Sequence, residues 1–480
     1  MFIGRKNELS LLSARWQREN FECVVIYGRR RVGKTALIGR FCEDKPHIFF
    51  TGLESGIPEN LQNFSQSIYE AKGNTGKAPC YSDFDAAFAA VAEMGRDQRL
   101  VLAIDEYPYL AASFPGISSL LQRVIDHEFQ STKLFLILCG SSMSFMEHQV
   151  LGAKSPLFGR RTGQLHLLPL HFSEIRPFHP NYSQEELALV YGMVGGIPHY
   201  LRQIGKNLPL ADNIRQNLLD PSAYLFEEPS NLLKQEVREP ANYNAIVQAI
   251  ATGSTKLNQI ATKTGLESSA CVGYLKNLMS LSIVNRETPL GEKKSRHTIY
   301  RISDPLFHFW YRFIPQHYSQ LQYGMTETVY RQIEPYFADY IGHVFEDICT
   351  EWLWEQNAIG ALPFAFTEAG RWWGTNKASK SQAEIDIIAQ DGTKQAIFCE
   401  CKWRNAPVDA DVLESLQEKS GVFPHAVKFW YIFAKHGFTE RCKRRAEQNG
   451  NVRLIGFGEM AAGASTLPSS PCTSNPLASS

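Results

Sequence analysis

The stretch Gly28-Arg29-Arg30-Arg31-Val32-Gly33-Lys34-Thr35 decides the fold of the first part of this chain. It matches the pattern G-x-x-x-x-G-K-[ST] of a phosphate-binding loop. The apolar run Val24-Val25-Ile26-Tyr27 precedes it, and a run with helical character follows from Ala36. A strand, a glycine loop and a helix in this order are the setting that the motif requires. The sequence therefore predicts nucleotide binding.

Each conserved type of residue in this pattern has a physical role in holding phosphate. Gly28 and Gly33 let the backbone close around phosphate, and the free N–H groups at the start of the helix point toward it. Lys34 is expected to bridge the β- and γ-phosphates, and the Thr35 hydroxyl to bind Mg²⁺. ATP and Mg²⁺ are therefore the predicted cofactors. The predicted nucleotide-binding set also includes the intervening residues, which are assigned no catalytic role: Arg29, Arg30, Arg31 and Val32.

Length and composition describe a globular protein of several domains. The 480 residues exceed what one core holds, and about three domains are expected. Apolar residues make up 44% and charged residues 20%, as in ordinary soluble proteins. Lys and Arg number 49, as do Asp and Glu, which excludes nucleic-acid binding by overall charge and leaves local basic patches open.

Cysteine usage and hydropathy indicate the compartment. The 10 cysteines form no CxxC pair and no cluster at zinc spacing, which favours a reducing cytoplasm. No apolar run is long enough to span a bilayer, and the N-terminus lacks a signal-peptide pattern. We therefore expect a cytoplasmic protein without a membrane partner.

Two further apolar runs end in polar residues that would complete a nucleotide site. The run from Leu100 ends in Asp105 and Glu106, so Asp105 is expected to hold Mg²⁺ and Glu106 to orient the attacking water. The alternative is a strand that simply ends in two solvated acids. The run from Leu134 ends at Ser141, which would hydrogen-bond water or the γ-phosphate, or alternatively cap a helix.

Motifs outside these strands carry a family resemblance. The segments are Phe2-Ile3-Gly4-Arg5-Lys6-Asn7-Glu8-Leu9, Pro156-Leu157-Phe158-Gly159-Arg160-Arg161 and Gly195-Gly196-Ile197-Pro198. Together they resemble the archaeal-type P-loop ATPase family, a branch of the STAND NTPases related to AAA+ ATPases. The resemblance implies an α/β core with a parallel sheet and helices on both faces, a helical lid, a winged helix and a characteristic C-terminal region.

The resemblance also implies roles for individual residues. Gly4 and Arg5 are expected near the adenine, and Gly196 and Pro198 where the lid meets the base or ribose. Arg160 is the implied sensor of the γ-phosphate or arginine finger, since an arginine there stabilises the charge on the transferring phosphoryl group. A structural ion pair is the alternative for Arg160.

The middle of the chain has the pattern of a winged helix. Helical segments within Tyr243–Leu281 precede two strand-like runs that flank the basic segment from Gly291 to His297. Such a wing would contact DNA phosphates, or the module would pack on the ATPase as a regulatory lid. The predicted domains are an ATPase core at 1–170, a helical lid at 171–240, a winged helix at 241–310, a nuclease-like domain at 311–458 and a disordered Ser/Pro-rich tail at 459–480.

The C-terminal region contains a second phosphate-chemistry pattern. Asp386, Glu400 and Lys402 resemble the D…ExK signature of the PD-(D/E)xK, or restriction-endonuclease-like, fold, and Glu346 matches its first-helix acid. Asp386 and Glu400 would share a divalent cation, with Glu346 as a further ligand, and Lys402 would activate water or stabilise the pentavalent phosphorus. A two-residue loop at Asp391-Gly392 would put the two acids on opposite faces, so an odd-length turn or a bulge is required.

Two functional hypotheses follow from these patterns. The first is an Mg²⁺-dependent ATPase coupled to a nuclease-like domain that acts on DNA. The second is a regulatory or signalling ATPase whose winged helix and C-terminal domain bind DNA or a protein partner without cleavage. Trp372 and Trp373 would stack on a base or pack in the core. Assembly into a homo-oligomer is left open.

Overall fold

The computed structural model describes residues 2–292, 297–375, 381–392 and 394–462. They form two compact units. The first contains residues 2–170 and 197–199, and the second contains residues 171–196 and the described residues from 200 onward. Among the described residues, no helix combines the length and the apolar character needed to cross a bilayer.

The first unit is a parallel α/β fold. Its strands are β1 Glu22–Tyr27, β2 His47–Thr51, β3 Leu100–Asp105, β4 Leu134–Gly140 and β5 Gly163–His166. Its helices are α1 Lys6–Trp16, α2 Lys34–Cys42, α3 Ile57–Ala71, α4 Phe84–Asp97, α5 Tyr107–Ser113, α6 Ile117–His127 and α7 Met143–Phe145, with short 3₁₀ and π turns at Phe129–Ser131 and Met146–Val150. The strand order is β2-β3-β4-β1-β5, and every pair is parallel.

The apolar runs of the sequence become the central strands of this sheet. All residues of β1, β3 and β4 are buried. Side chains alternate between the faces, so Val24 and Ile26 enter one hydrophobic cluster while Val25 and Tyr27 enter another. A sheet covered on both faces explains the continuous hydrophobic runs, and the predicted parallel α/β fold is confirmed.

The second unit begins with helices. They are the 3₁₀ turns Phe172–Glu174 and Arg176–Phe178, α8 Gln184–Val194, α9 Pro198–Gln203 (its first two residues belong to the first unit), α10 Leu210–Asn213, the π turn Ile214–Leu218 and α11 Tyr224–Glu236. A three-helix module follows, with α12 Pro240–Ala251, α13 Leu257–Thr264, α14 Ser268–Ser280 and the antiparallel strands β6 Val284–Glu287 and β7 Ile299–Ile302.

The three-helix module, residues 240–302, has the element order expected of a winged helix. One hydrophobic cluster unites its helices and strands, including Ile246, Leu275 and Ile302. The lysines of the predicted wing, Lys293 and Lys294, lie outside the described residues. The winged-helix assignment stays a prediction.

The rest of the unit leads into a mixed sheet. Helices α15 Pro305–Phe313, α16 Tyr318–Gln322, α17 Thr326–Ile333 and α18 Phe337–Ala358, with 3₁₀ turns at Pro315–His317 and Glu334–Tyr336, precede β8 Glu368–Thr375, β9 Gln382–Asp391 and β10 Gln395–Lys402. Then come α19 Ala410–Ser420, β11 Val427–Ala434, α20 Glu440–Glu447, β12 Val452–Gly456 and α21 Phe457–Ala462. The predicted tail, residues 459–480, overlaps α21 at its start and otherwise lies outside the described residues.

The C-terminal sheet has the order β12-β11-β10-β9-β8. Strands β8, β9 and β10 are antiparallel neighbours, whereas β10, β11 and β12 run parallel. This mixed sheet is consistent with a restriction-endonuclease-like domain, and the nuclease-like identity itself stays a prediction.

Strand register brings the two predicted acids together. Residues 392–394 connect β9 to β10, and Asp391 pairs with Gln395 while Ile387 pairs with Cys399. The paired residues end at Ile387 and Cys399, and the next residue of β9, Asp386, accepts a hydrogen bond at its Oδ2 from the Cys401 N–H. The sequence required an odd-length turn or a bulge near Asp386, and the connection has an odd length while the β8–β9 pairing also has a register shift between Gly370 and Trp372. Continued by one residue, the β9–β10 register would put Asp386 and Glu400 on one face.

Candidate functional site

The phosphate-binding loop is tightly fitted to the segment after β5. A Cβ atom on Gly28 would lie 2.3 Å from the Leu167 carbonyl oxygen, so no larger residue fits there. Gly33 has φ 95°, a left-handed conformation that favours glycine, and directly precedes α2. The two glycines therefore fix the path of the loop and the start of the helix whose N–H groups would face phosphate.

The Lys34 ammonium group points back into the loop. Its Nζ donates to the carbonyl oxygens of Gly28, at 2.8 Å, and of Arg29, at 3.0 Å. Only 5% of Lys34 is exposed, and burial lowers the pKa of its ammonium group. A buried cation held by backbone carbonyls is positioned to meet a phosphate entering the loop.

Thr35 and Asp105 form the predicted magnesium pair. The Thr35 Oγ1 donates to Asp105 Oδ2 at 2.7 Å. Asp105 is 2% exposed at the end of β3, and its other carboxylate oxygen accepts from the Glu106 N–H at 3.0 Å. A hydroxyl and a carboxylate in contact are hard oxygen ligands of the kind Mg²⁺ takes beside nucleotide phosphates. These residues fit the implied ion.

Glu106 is held in place by a strained backbone and by Ser141. Its φ of 47° is left-handed and rare for a residue other than glycine. Its carboxylate accepts from Ser141 Oγ at 2.9 Å, and the Ser141 N–H lies 3.4 Å from the same oxygen. The helix-cap alternative for Ser141 does not hold, because α7 is preceded by Ser142. Ser141 is therefore a positioning residue for Glu106.

Arg5 connects the N-terminal motif to the loop. It is 4% exposed and donates to the carbonyl oxygens of Val32, at 3.0 Å, and Leu168, at 2.6 Å. Gly4 and Arg5 both have positive φ, 72° and 64°, which turns the chain sharply before α1. The contact with adenine stays a prediction, whereas the support that Arg5 gives the loop is a role the sequence did not indicate.

The arginines within the loop are half-buried rather than solvent-facing. Arg29, Arg30 and Arg31 are each partly covered, and Arg30 donates to the Tyr109 hydroxyl on α5 at 2.9 Å. This bond ties the loop to the helix that follows Glu106. The loop is thus connected to the acidic half of the site through a side chain as well as through the sheet.

The lid motif is divided between the two units. Pro198 belongs to the first unit, where its Cγ lies 3.8 Å from the position of a Cβ on Gly33. Gly196 belongs to the second unit, as does Gly195, which ends α8 with φ 66°. The proximity of Pro198 to the loop agrees with a position beside the nucleotide, and contact with base or ribose stays a prediction.

Arg160 forms the ion pair that the sequence left as the alternative. Its guanidinium binds both carboxylate oxygens of Asp126 on α6, with the shortest distance 2.7 Å. The hydrogen bond from Arg160 lowers the pKa of Asp126. The remaining Nη1 donates to the Pro156 and Phe158 carbonyl oxygens. These contacts favour a structural role, and the arginine-finger role stays a prediction.

The second candidate site lies on the C-terminal sheet. Asp386 Oδ2 accepts from the Cys401 N–H at 2.7 Å, so its side chain completes the strand pairing beside Glu400. Burial, and then the charges of Glu400 and Glu346, raise the pKa of Asp386 to about 7. Buried carboxylates that repel each other are the donor set that a divalent cation relieves.

Glu400 is neutralised by two lysines. Its 7% exposed carboxylate accepts from Lys402 at 2.7 Å and from Lys419 at 3.2 and 3.4 Å. Burial lowers the pKa of Lys402, but the Glu400 charge outweighs it and raises the pKa. Lys419, on α19, was not indicated by the sequence pattern. The one feature of the sequence that could have pointed to Lys419 is its position in the helix that follows the strand with the E-x-K pattern.

Glu346 is engaged elsewhere. Arg371 Nη2 lies 2.6 Å from its carboxylate and His343 Nδ1 lies 3.3 Å from it. Within the described residues, no group of three or more His, Cys, Asp and Glu side chains is arranged to hold a metal ion. Asp386 and Glu400 therefore fit a shared cation as a pair, and the structure does not add Glu346 to them because Arg371 holds it.

Comparison with known proteins identifies relatives of both parts of the chain. Residues 2–204 match the model of an ATPase domain predominantly from Archaea, and residues 310–418 match a family of archaeal and bacterial proteins of unknown function. The uncharacterised protein MJECL04 of Methanocaldococcus jannaschii is 36% identical over 414 residues, which are 86% of this chain and 89% of that protein.

Two further similarities concern the ATPase part. The uncharacterised ATP-binding protein MJ0423 of M. jannaschii is 49% identical over 45 residues, 9% of this chain and 76% of that protein. The Walker-type ATPase PABY2304 of Pyrococcus abyssi covers 65% of this chain and 96% of its own, with a TM-score of 0.52 and 19% identity. At that identity the likeness concerns the fold.

Proposed function

The chain belongs to the archaeal P-loop ATPase family, and we propose that it hydrolyses ATP with Mg²⁺ and thereby controls a nuclease-like domain that acts on DNA. The contact between Thr35 and Asp105 carries the first half of this proposal, because it puts two hard oxygen ligands beside the phosphate-binding loop. Bound Mg²⁺ would neutralise the charge that develops on the phosphate oxygens.

Other residues of the first unit would bind the phosphates and orient the attacking water. Lys34 leaves its two carbonyl partners for the β- and γ-phosphates, which is favourable because a phosphate is a stronger acceptor than a carbonyl. Glu106, fixed by Ser141, orients the attacking water. The backbone N–H groups of the loop bind the phosphates from the other side.

Turnover of ATP by purified variants tests this half. Lys34→Ala is expected to reduce hydrolysis by at least about a hundredfold, because it removes the cation on the transferring phosphoryl group. Arg40→Ala is the matched control, since Arg40 lies on the same helix, is exposed and forms an ion pair with Glu43 on the surface. Normal hydrolysis by Lys34→Ala would refute the assignment.

We propose further that the C-terminal domain cleaves DNA with a divalent cation. The supporting observation is the pairing of β9 with β10, whose register continued one residue past Ile387 and Cys399 would set Asp386 opposite Glu400, with Lys402 on the same strand as Glu400 and bonded to it. A cation shared by the two carboxylates would supply Lewis-acid polarisation of a phosphodiester. Lys402 would then be released from Glu400 to stabilise the charged phosphorane or to activate water.

Cleavage of labelled single-stranded, duplex and branched DNA in Mg²⁺ or Mn²⁺ tests this second half. Asp386→Ala is expected to abolish cleavage, and Asp391→Ala, at the far end of the same strand, to leave it unchanged. ATP is added or omitted to measure the coupling. Cleavage that survives Asp386→Ala would assign it to a contaminant or to another site.

A regulatory ATPase without nuclease activity is the second candidate function. Two observations favour it: both lysines neutralise Glu400, and the described residues contain no group of three ligating side chains. In that case the C-terminal domain binds DNA or a protein partner. Intact ATP hydrolysis together with no cleavage of any DNA form would select this candidate.

A further inference from the structure

The second unit contains a cavity of about 930 Å³ between the three-helix module and the C-terminal sheet. One wall is formed by the end of α12 and by β7, and the other by β8, β9 and the first turns of α18. Ligand cavities typically measure about 300–1,000 Å³. A sphere of this volume has a diameter of about 12 Å. The major groove of a DNA duplex is by itself about that wide, so the cavity can hold single nucleotides and is too small for a duplex.

The two walls are fixed to each other. The Leu290 N–H, directly before the segment predicted as a wing, donates to the Arg371 carbonyl oxygen at 2.9 Å, and the Leu290 side chain packs on the hydrophobic cluster of the C-terminal sheet. Trp373 Nε1 donates to the His297 carbonyl oxygen at 3.0 Å. Leu290 and His297 therefore both contact the edge strand β8, and these bonds hold the two walls of the cavity together.

Two cations on the lining are available to a ligand. Lys256 and Arg312 are exposed, and within the described part of the chain neither forms an ion pair with a carboxylate. In contrast, Arg301 and Arg371 are each paired with a carboxylate on α18, at 2.8 and 2.6 Å. Lys256 and Arg312 can therefore bind an anionic ligand, whereas the ion pairs of Arg301 and Arg371 hold the wall of the cavity in place.

The lining also contains aromatic rings and adjoins the acidic site. Trp373 lines the cavity and is half-buried, and its indole Nε1 donates to the His297 carbonyl oxygen. Of the two lining carboxylates, Glu384 is within 3.4 Å of Arg371, and Asp339 is exposed. Glu384 is two residues from Asp386 on β9, so the cavity lies beside the candidate catalytic strand.

We propose that this cavity binds an unpaired segment of a nucleic-acid strand, with a base on Trp373 and backbone phosphates at Lys256 and Arg312. Aromatic stacking combined with a positive groove is how proteins hold single strands without reading sequence. The inference rests on the proposed action of the C-terminal domain on nucleic acid. It adds that the strand is unpaired where it approaches Asp386.

Binding of a labelled oligothymidylate of about 16 nucleotides to the full chain in EDTA tests the proposal without cleavage. The log of the affinity falls as the log of the salt concentration rises. In the double variant Lys256→Gln/Arg312→Gln this slope is expected to become less steep by about 1.4, which is about 0.7 for each of two lost phosphate contacts. Trp373→Ala is expected to weaken binding about tenfold, and Trp373→Phe to retain it. Lys72→Gln/Lys77→Gln, in exposed positions of the first unit, is the matched control.

The outcomes separate this inference from the proposed nuclease. Strand binding that requires Trp373 and the two cations, without cleavage in Mn²⁺, supports the cavity and refutes the nuclease. Cleavage that is insensitive to these variants, or a preference for duplex, overturns the cavity and leaves the nuclease. No binding of any nucleic acid overturns both. Equal melting temperatures establish that the variants are folded.

Discussion

The two carboxylate pairs of this molecule, Asp105 with Glu106 and Asp386 with Glu400, lie at different places on their sheets and are stabilised in opposite ways. In the first unit, Asp105 and Glu106 accept hydrogen bonds from neutral hydroxyls, those of Thr35 and Ser141. In the second unit, Glu400 accepts from two ammonium groups. Hydroxyls leave the negative charge in place, whereas lysines cancel it.

This difference determines what each site requires before it can work. The first pair keeps its charge for Mg²⁺, so nucleotide and metal can enter with little rearrangement. On the proposed nuclease function, the second pair would have to exchange lysine for metal at Glu400. A buried carboxylate that lost both cations without gaining a metal would be costly, which favours ordered replacement.

The largest effect is expected from removing one charge in each pair. Asp105→Asn should reduce ATP turnover by at least about a hundredfold, because the metal ligand is lost. Asp386→Asn should leave ATP turnover near that of the wild type while it abolishes DNA cleavage. Parallel assays of both activities measure this. A loss of ATP turnover in Asp386→Asn would contradict the separation of the two sites, whereas a loss of cleavage in Asp105→Asn is the result expected if ATP hydrolysis controls the nuclease-like domain.

Ser141→Ala is expected to have the next largest effect on ATP turnover. It removes the hydrogen bond that positions Glu106 and leaves the charges of the site unchanged. Loss of a hydrogen bond to a carboxylate costs about 1.5–3 kcal/mol, so kcat should fall about tenfold or more. KM for ATP should stay unchanged, since Ser141 contacts Glu106 and not the loop. Ser141→Thr should restore kcat because it keeps the hydroxyl. A raised KM with normal kcat would show that Ser141 binds nucleotide instead.

Removal of one lysine at Glu400 tests the proposed exchange. Lys419→Met should tighten Mn²⁺ binding to the C-terminal domain severalfold, because one competing cation is removed from a buried carboxylate. Isothermal titration with Mn²⁺ measures it, and Lys443→Met on α20 is the control, since Lys443 pairs with Glu440. Weaker Mn²⁺ binding would mean that Lys419 organises the site rather than competes for it.

The sequence predicted the first site more completely than the second, for a physical reason. The loop from Gly28 to Thr35 is contiguous, and Asp105 is marked by the buried strand that it ends, so both are visible without any tertiary contact. Arg160 and Asp126 are 34 residues apart, and neither side chain indicates the other. The role of Arg5 as a support for the loop likewise depends on contacts with distant carbonyl groups.

In the second unit, the decisive features are tertiary. The period of two in strands required an odd-length turn or a bulge near Asp386 if both acids were to share a face, and only the fold shows a connection of odd length between β9 and β10. The docking of Leu290 on β8 was not foreseen, since a basic wing in isolation is typical of a DNA contact. The same holds for Arg371, which diverts Glu346 from the carboxylate pair.

A pH titration extends the comparison to overall stability. Burial, and then nearby Arg301, lowers the pKa of His308 to about 3, whereas its value in an unfolded chain is about 6.5. The unfolded state therefore binds the extra proton first, and the second unit should lose up to about 1.4 kcal/mol per pH unit as the pH falls below 6.5. Urea unfolding at several pH values should show a shallower loss for His308→Phe. An unchanged slope in that variant would exclude His308 as its source.

Arg160→Ala has the smallest expected effect and tests whether the first site is complete without it. The pair with Asp126 is partly exposed, at 25% and 32% of the two side chains, so its loss should cost less than about 1 kcal/mol of stability. ATP turnover should stay within about twofold of the wild type, because the guanidinium is already bound by a carboxylate and two carbonyl groups. An arginine finger contributes about 10³-fold or more to turnover. A loss of turnover of that size in Arg160→Ala, together with normal turnover in Asp126→Ala, would mean that Arg160 leaves its ion pair to act on phosphate. The first site would then also depend on the exchange of one charged partner for another, as proposed for Glu400.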